Sequence, residues 1–91
     1  NETELKVIHT PGHSAGSVCF YAENDKFLIS GDTLFLESVG RTDFPSGSQV
    51  ELEKSIMNKL YILPDDTMVL PGHGFHTTIK HEKEYNPFIH V

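Results

Sequence analysis

The chain has 91 residues, a formal net charge of −6 at pH 7 and a single cysteine. This acidic balance argues against nucleic acid or an anionic membrane surface as partners, because both require a basic footprint and only seven Lys and Arg are present. No apolar run is long enough to cross a bilayer, one cysteine cannot form an internal disulfide, and we expect a cytoplasmic protein. We predict a single partial domain over residues 1–91, with a small core.

Apolar runs separated by turn residues predict three short strands in the first third of the chain. Residues 5–9 form the first, and the Thr10-Pro11-Gly12 turn ends it because proline has no amide donor. Residues 18–22 and 27–30 flank a polar turn and are predicted to pair as a hairpin. Cys19 lies in the second strand, where we expect a buried structural thiol. The sequence has no initiator methionine and enters an apolar strand almost at once, so we expect a chain cut from a longer protein.

The second half of the sequence predicts two helices and a fourth strand. Residues 36–47 have a loop-like composition, and Ser48 with Glu51 then forms a capping box for a helix that runs to about Leu63. That helix is predicted to be amphipathic, since four apolar residues share one face: Leu52, Ile56, Leu60 and Leu63. Residues 67–70 predict a strand, and Thr78 is expected to cap a short helix over residues 79–85.

Three turns that follow apolar runs each carry a potential metal ligand. His13 follows the first strand, Asp32 follows the third, and His73 follows the fourth. Two imidazoles and one carboxylate are transition-metal ligands, and the two oxygens of a carboxylate can bridge two ions. We therefore predict that Asp32 is the centre of half a metal site. The alternative is that Asp32 caps its own turn and both histidines are polar loop residues.

The remaining histidines and the loop arginine have weaker interpretations. His9 is predicted to be packed or half-exposed. His76 is a candidate to contact a metal ligand without binding the metal itself. We expect His81 and His90 on the surface. Arg41 has two open interpretations: it orients its loop through Asp43, or it meets an anionic group of a substrate.

Four ordered motifs give the chain a specific resemblance: Thr10-Pro11-Gly12-His13-Ser14, Gly31-Asp32-Thr33-Leu34-Phe35, Gly40-Arg41-Thr42-Asp43-Phe44-Pro45 and Pro71-Gly72-His73-Gly74. In this order they resemble the metallo-β-lactamase superfamily, and within it the small hydrolases similar to glyoxalase II. The resemblance implies an α/β (α+β) fold, one half of an αββα sandwich with a mixed sheet and two helices on its outer face. This half would be the carboxy-terminal one, because the family's upstream H-x-H-x-D-H motif is absent from the sequence.

The resemblance also implies a reaction and a site. The intact enzyme would hold two zinc ions, with iron or manganese as other candidates, and would hydrolyse small-molecule thioesters such as hydroxyacylglutathione with metal-activated hydroxide. His13 would complete the first metal site, His73 would complete the second, and Asp32, the catalytic residue, would bridge both ions. With the other ligand positions missing, we expect the chain alone to be inactive.

Two other functions fit the same motifs. An iron-dependent persulfide dioxygenase-like enzyme shares the fold and the stretch from Gly40 to Phe44, but it uses one metal. A non-catalytic module would use its bare sheet face to bind a partner or to form a homo-oligomer. Metal content distinguishes the first alternative, and oligomeric state tests the second.

Overall fold

The structure is a computed structural model and describes residues 4–89. In chain order its elements are β1 (Lys6–His9), β2 (Val18–Ala22), β3 (Phe27–Gly31), β4 (Leu34–Phe35), β5 (Ser38–Val39), α1 (Gln49–Ser55), β6 (Met68–Pro71), β7 (Thr77–Thr78) and α2 (Ile79–Tyr85). Five strands form the main sheet in the order β1-β2-β3-β6-β7, and β4 pairs with β5 in a separate small hairpin.

The main sheet is mixed. β2 runs antiparallel to β1 and to β3, whereas β3 and β6 are parallel. The predicted hairpin of residues 18–22 and 27–30 is confirmed, with Tyr21 opposite Leu28. Because β1, β3 and β6 all run in one direction, their carboxyl ends lie at the same edge of the sheet.

Both helices pack on one face of this sheet. Tyr21, Leu28 and Val69 lie side by side across the strands and are buried against the apolar sides of the two helices. The rest of the core contains Cys19, Leu34, Leu52, Ile56, Leu60, Tyr61, Ile79 and Ile89. The predicted fold class, a mixed sheet with two helices on its outer face, is confirmed. No helix within residues 4–89 is long and apolar enough to cross a membrane.

The other face of the sheet has no covering layer within residues 4–89. Its neighbouring side chains form an apolar row across four strands: Val7, Phe20, Ile29 and Leu70. Val7 is 64% exposed and Met68, on the same face, is 42% exposed. A sheet face with this composition normally packs on another layer.

The helix after residue 48 differs from its prediction at both ends. Ser48 accepts a hydrogen bond from the amide of Glu51, but its own amide donates to the carbonyl of Gly12 rather than to the Glu51 carboxylate. Only half of the capping box therefore forms. The α-helix ends at Ser55 and continues as a π-helical turn over Ile56–Leu60, so it stops before Leu63. The wider turn closes through the Tyr61 amide and the Ile56 carbonyl, which places Tyr61 in the core.

The sequence analysis did not predict the short strands within residues 34–39 and at residues 77–78. Residues 38–39 pair back onto residues 34–35, although the stretch 36–47 was expected to be loop, and residues 77–78 pair with β6 before α2 begins. These strands have two residues each, too short for an apolar alternation to show in the sequence. The other predicted strands are present within one residue at each end, and α2 spans the predicted residues with Thr78 as its cap.

Candidate metal centre

The loops after β1, β3 and β6 bring His13, Asp32 and His73 together at one edge of the main sheet. His13 Nε2 lies 3.7 Å from Asp32 Oδ2, and His73 Nε2 lies 3.7 Å from Asp32 Oδ1. Each imidazole therefore faces its own oxygen of one carboxylate. These distances are too long for hydrogen bonds, but two ligands of one tetrahedral zinc ion lie about 3.4 Å apart at bond lengths of about 2.1 Å.

The tautomer of His13 is fixed by its second nitrogen. Nδ1 lies 2.8 Å from the carbonyl oxygen of Arg41, which can only accept, so Nδ1 carries the proton. The lone pair of Nε2 then points toward Asp32. An outer hydrogen bond of this kind to a carbonyl is the usual support of a metal-binding histidine. The edge of the ring also meets Phe44, with centroids 5.2 Å apart.

His73 is held in a different way. Its side chain is 78% exposed, and its ring stacks on Phe35 with centroids 4.7 Å apart and planes 24° from parallel. Its carboxylate neighbour is Asp32, and its stacking partner is Phe35. The stacked Phe35 ring favours the orientation in which the exposed imidazole faces Asp32.

A buried polar contact ties two of the ligand loops together beneath the centre. Thr10 and Thr33 are both buried, and their hydroxyl oxygens lie 3.3 Å apart. Thr10 Oγ1 also lies 3.4 Å from the Sγ atom of Cys19, which is fully buried as predicted. Burial raises the pKa of the Cys19 thiol, so it is a neutral structural group rather than a ligand.

An open cavity of about 660 Å³ lies over the three residues. Its walls include three phenylalanines, Phe35, Phe44 and Phe75, together with Arg41. The Arg41 guanidinium donates to both oxygens of Asp43, at 3.1 and 2.9 Å, and this hydrogen bonding lowers the pKa of the Asp43 carboxyl. Of the two interpretations of Arg41, the structure favours the one in which it orients its own loop.

Three other histidines, His9, His76 and His81, lie outside the cavity. His9 was predicted to be packed or half-exposed, but it is exposed, and it donates to the carbonyl of Ala15. His76 is exposed and does not line the cavity. His81 was predicted to be a solvated surface residue, but its Nε2 lies 2.9 Å from a carboxylate oxygen of Glu37. His90 lies outside the described residues.

The sequence prediction missed Phe35 and Phe44, which contact the two candidate ligand rings. Both belong to motifs that were singled out, and an aromatic residue in a polar loop beside a histidine or aspartate was a usable signal. The carbonyl of Arg41 had no such signal, because any residue supplies a carbonyl.

The donor set fits metal ions that each take two ligands from this chain. Within residues 4–89 no three His, Cys, Asp or Glu side chains converge on one point as a complete metal site. The arrangement instead offers one imidazole and one carboxylate oxygen on each side of Asp32. Such pairs hold an ion only when further ligands complete the coordination.

Known proteins are similar to this chain over most of its length. Residues 1–73 match the family model described as the metallo-beta-lactamase superfamily. The chain belongs to this superfamily. A probable metallo-hydrolase of Streptococcus pyogenes is 47% identical over 99% of the chain, and the hydroxyacylglutathione hydrolase GloC of Haemophilus influenzae is 44% identical over 93%. The chain covers 39% and 40% of these two relatives, so it spans about two-fifths of their length.

Solved members of the superfamily have the same backbone. The BLEG-1 B3 metallo-beta-lactamase is 48% identical with a TM-score of 0.92, and the match covers 96% of this chain and 42% of that one. TTHA1623, solved in a di-iron-bound form, is 45% identical with a TM-score of 0.89, covering 93% and 42%. The superfamily is thus metal-dependent, and one neighbour holds two irons.

Proposed function

We propose that this chain supplies the bridging part of a two-metal centre in a hydrolase that cleaves thioesters such as hydroxyacylglutathione. One observation carries the proposal: two imidazoles face opposite oxygens of one carboxylate, each at 3.7 Å. His13 and Asp32 Oδ2 would hold one ion, and His73 and Asp32 Oδ1 the other. The 44% identity to GloC, a hydroxyacylglutathione hydrolase by name, supports the thioester substrate.

The chain's own residues prepare this chemistry in three ways. Bound ions would activate a water molecule and polarise the substrate carbonyl. The Arg41 carbonyl keeps the His13 Nε2 lone pair free for an ion, and Phe35 holds the His73 ring beside Asp32. The phenylalanine side chains in the cavity walls would limit access of bulk water and pack against the apolar part of the acyl group. A thiolate leaves without a strong general acid, so no residue here has to donate a proton to it.

We further propose that the chain alone is inactive, because two ligands for each ion leave both under-coordinated. Zinc is the expected metal of the intact enzyme, since imidazole and carboxylate suit it. Iron and manganese are the other candidates, and the di-iron-bound TTHA1623 supports iron. We place the protein in the cytoplasm, where a single reduced cysteine is usual.

A chimera tests the proposed function. In it, this chain replaces the matching segment of the S. pyogenes metallo-hydrolase, to which it is 47% identical. We expect two metal ions per purified chimera and hydrolysis of a lactoyl thioester. The isolated chain should show neither when assayed with added Zn²⁺, Mn²⁺ and Fe²⁺.

The outcomes of this experiment are distinguishable. A folded chimera that holds two ions but leaves thioesters intact would refute the proposed thioester substrate. A folded chimera that holds no ions would refute the proposed metal centre. One iron and no hydrolysis would favour the persulfide dioxygenase-like alternative. Turnover by the isolated chain equal to that of the chimera would refute the claim that the chain is incomplete.

The bare sheet face gives a separate prediction for the isolated chain. We propose that it self-associates through the apolar row of Val7, Phe20, Ile29 and Leu70, because a second copy removes this surface from water. Sedimentation from micromolar to millimolar concentration should show species heavier than the monomer. The double substitution Val7→Lys and Ile29→Lys should return the chain to a monomer.

Ile62 provides a matched control, because it is 73% exposed and lies in the turn after the π-helical segment, outside the main sheet. Ile62→Lys should leave the association unchanged. A wild-type chain that stays monomeric throughout, with a cooperative unfolding transition, would contradict the proposal.

A further inference from the structure

Helix α2 and its C-cap residue Asn86 hold the β4–β5 hairpin through three polar contacts, which we call the α2 clasp. The Glu37 amide donates to Glu82 Oε1 at 2.9 Å, and the Asn86 side-chain amide donates to the Ser38 carbonyl at 3.1 Å. The third contact joins His81 Nε2 to Glu37 Oε2 at 2.9 Å. Two of these contacts reach Glu37, in the turn between the two strands, and the other reaches Ser38, the first residue of β5.

Glu82 is the centre of the α2 clasp. It is fully buried, although a carboxylate is costly to bury without hydrogen bonds. Besides the Glu37 amide it accepts from Thr77 Oγ1 at 2.6 Å and from the Asn86 side-chain amide at 2.9 Å. Its contacts are therefore all with donors, and they fix both of its oxygens in place.

The held turn is one that the chain would not adopt readily by itself. Glu37 has a φ of 53°, in the left-handed region, which is unfavourable for a non-glycine residue. Two of the three clasp contacts end on Glu37, one on its amide and one on its carboxylate. The α2 clasp thus offsets the cost of this conformation.

The hairpin carries the ring that orients His73. Phe35 is paired with Ser38, the residue whose carbonyl Asn86 holds. The Phe35 ring stacks on His73 with centroids 4.7 Å apart. A continuous set of contacts therefore runs from the buried Glu82 carboxylate through the hairpin to the His73 imidazole.

We infer that Glu82 is a positioning residue: by holding the turn at Glu37 it sets the place of Phe35 and so the orientation of the His73 ring. The importance of this orientation for catalysis rests on the proposed function, but the orientation itself does not. It can therefore be measured in the metal-free chain.

Two substitutions separate hydrogen bonding from charge and volume. In Glu82→Gln, the remaining oxygen can still accept from Glu37, and the new amide can donate to the Thr77 hydroxyl, which turns to accept. In Glu82→Leu, the volume is kept but the Glu37 amide loses its acceptor. We expect the α2 clasp to persist in the first variant and to open in the second.

Proton NMR of the histidine rings in the metal-free chain measures whether His73 stays stacked on Phe35. Stacking on Phe35 should shift the His73 ring protons upfield, Glu82→Gln should keep this shift, and Glu82→Leu should lose most of it. Leu60→Ala is the control for destabilisation alone, because Leu60 is buried in the π-helical turn and is not part of the α2 clasp. It should leave the shift unchanged in the folded population.

Hydrogen exchange in the wild type keeps the inference testable if Glu82→Leu fails to fold. The Glu37 amide should exchange slowly, because its acceptor is buried. A Glu37 amide that exchanges as fast as an exposed one, or an unchanged His73 shift in folded Glu82→Leu, would overturn the role of Glu82. Neither result would touch the proposed metal centre, which the chimera tests by its metal content.

Discussion

Asp32→Ala in the chimera should lower thioester turnover about a thousandfold or more while leaving the metal-free protein as stable as before. Asp32 faces both candidate ligand rings, so under the proposed function its loss would remove a ligand from each ion. Losing several kcal/mol of metal-derived transition-state stabilisation corresponds to roughly three powers of ten, since each 1.36 kcal/mol is tenfold. The metal content should fall below two ions per chain, as elemental analysis of the purified variant would show.

We expect Asp32→Ala to lose activity without losing stability. The Asp32 side chain is 52% exposed, and exposed substitutions usually change the free energy of unfolding by no more than about 0.5 kcal/mol. Asp66→Ala is the matched control, because Asp66 is an exposed aspartate that pairs with Lys26 away from the cavity. It should keep both metal and turnover. An Asp32→Ala chimera that is fully active, or one that unfolds, would favour the interpretation of Asp32 as a turn cap.

The main sheet was predictable because its strands are apolar runs that end in Pro and Gly turns. Residues 18–22 and 27–30 needed only a polar turn between them to be identified as a hairpin. The meeting of His13, Asp32 and His73 at one edge follows from the same pattern, since each residue comes directly after a strand that runs in the same direction. The resemblance to the superfamily assigned them a metal role, which stays a prediction.

The α2 clasp was not predictable from local sequence. Glu82 and Glu84 lie two residues apart in one charged helix, yet Glu82 is fully buried and Glu84 is exposed. A signal existed in the spacing, because Ile79, Glu82 and Asn86 fall on one helical face, and that face packs inward. What the spacing does not reveal is the partner: the donor is the backbone of Glu37, a residue 45 positions away.

The end of α1 shows a second limit of prediction from the sequence. Leu52, Ile56, Leu60 and Leu63 predict one continuous apolar face, and the first three are buried together as expected. The helix nevertheless widens after Ser55, and Tyr61 enters the core, where its hydroxyl donates to the carbonyls of Glu82 and Ile89. A tertiary contact thus overrides the regular period of the helix.

Gly12→Ala should destabilise the chain strongly. A Cβ atom at Gly12 would lie 2.4 Å from the Cα atom of Leu52, a backbone atom that no rotamer change can move. Gly12 also has a φ of 148°, which L-residues rarely adopt, and its carbonyl accepts from the Ser48 amide at the start of α1. The loop before His13 therefore rests directly on the α1 backbone.

Strain and overpacking together should cost about 3–5 kcal/mol, a large part of the stability of a small domain. Because the loop must move away from α1, His13 should also leave Asp32, and the Gly12→Ala chimera should bind fewer metal ions. Urea unfolding followed by circular dichroism measures the first effect, and elemental analysis of the purified variant measures the second. Gly16→Ala, in the same loop with nothing within 4 Å of the added Cβ, should change stability by no more than about 0.5 kcal/mol. If the two variants unfold at the same urea concentration, the loop cannot rest on Leu52 as the structure has it.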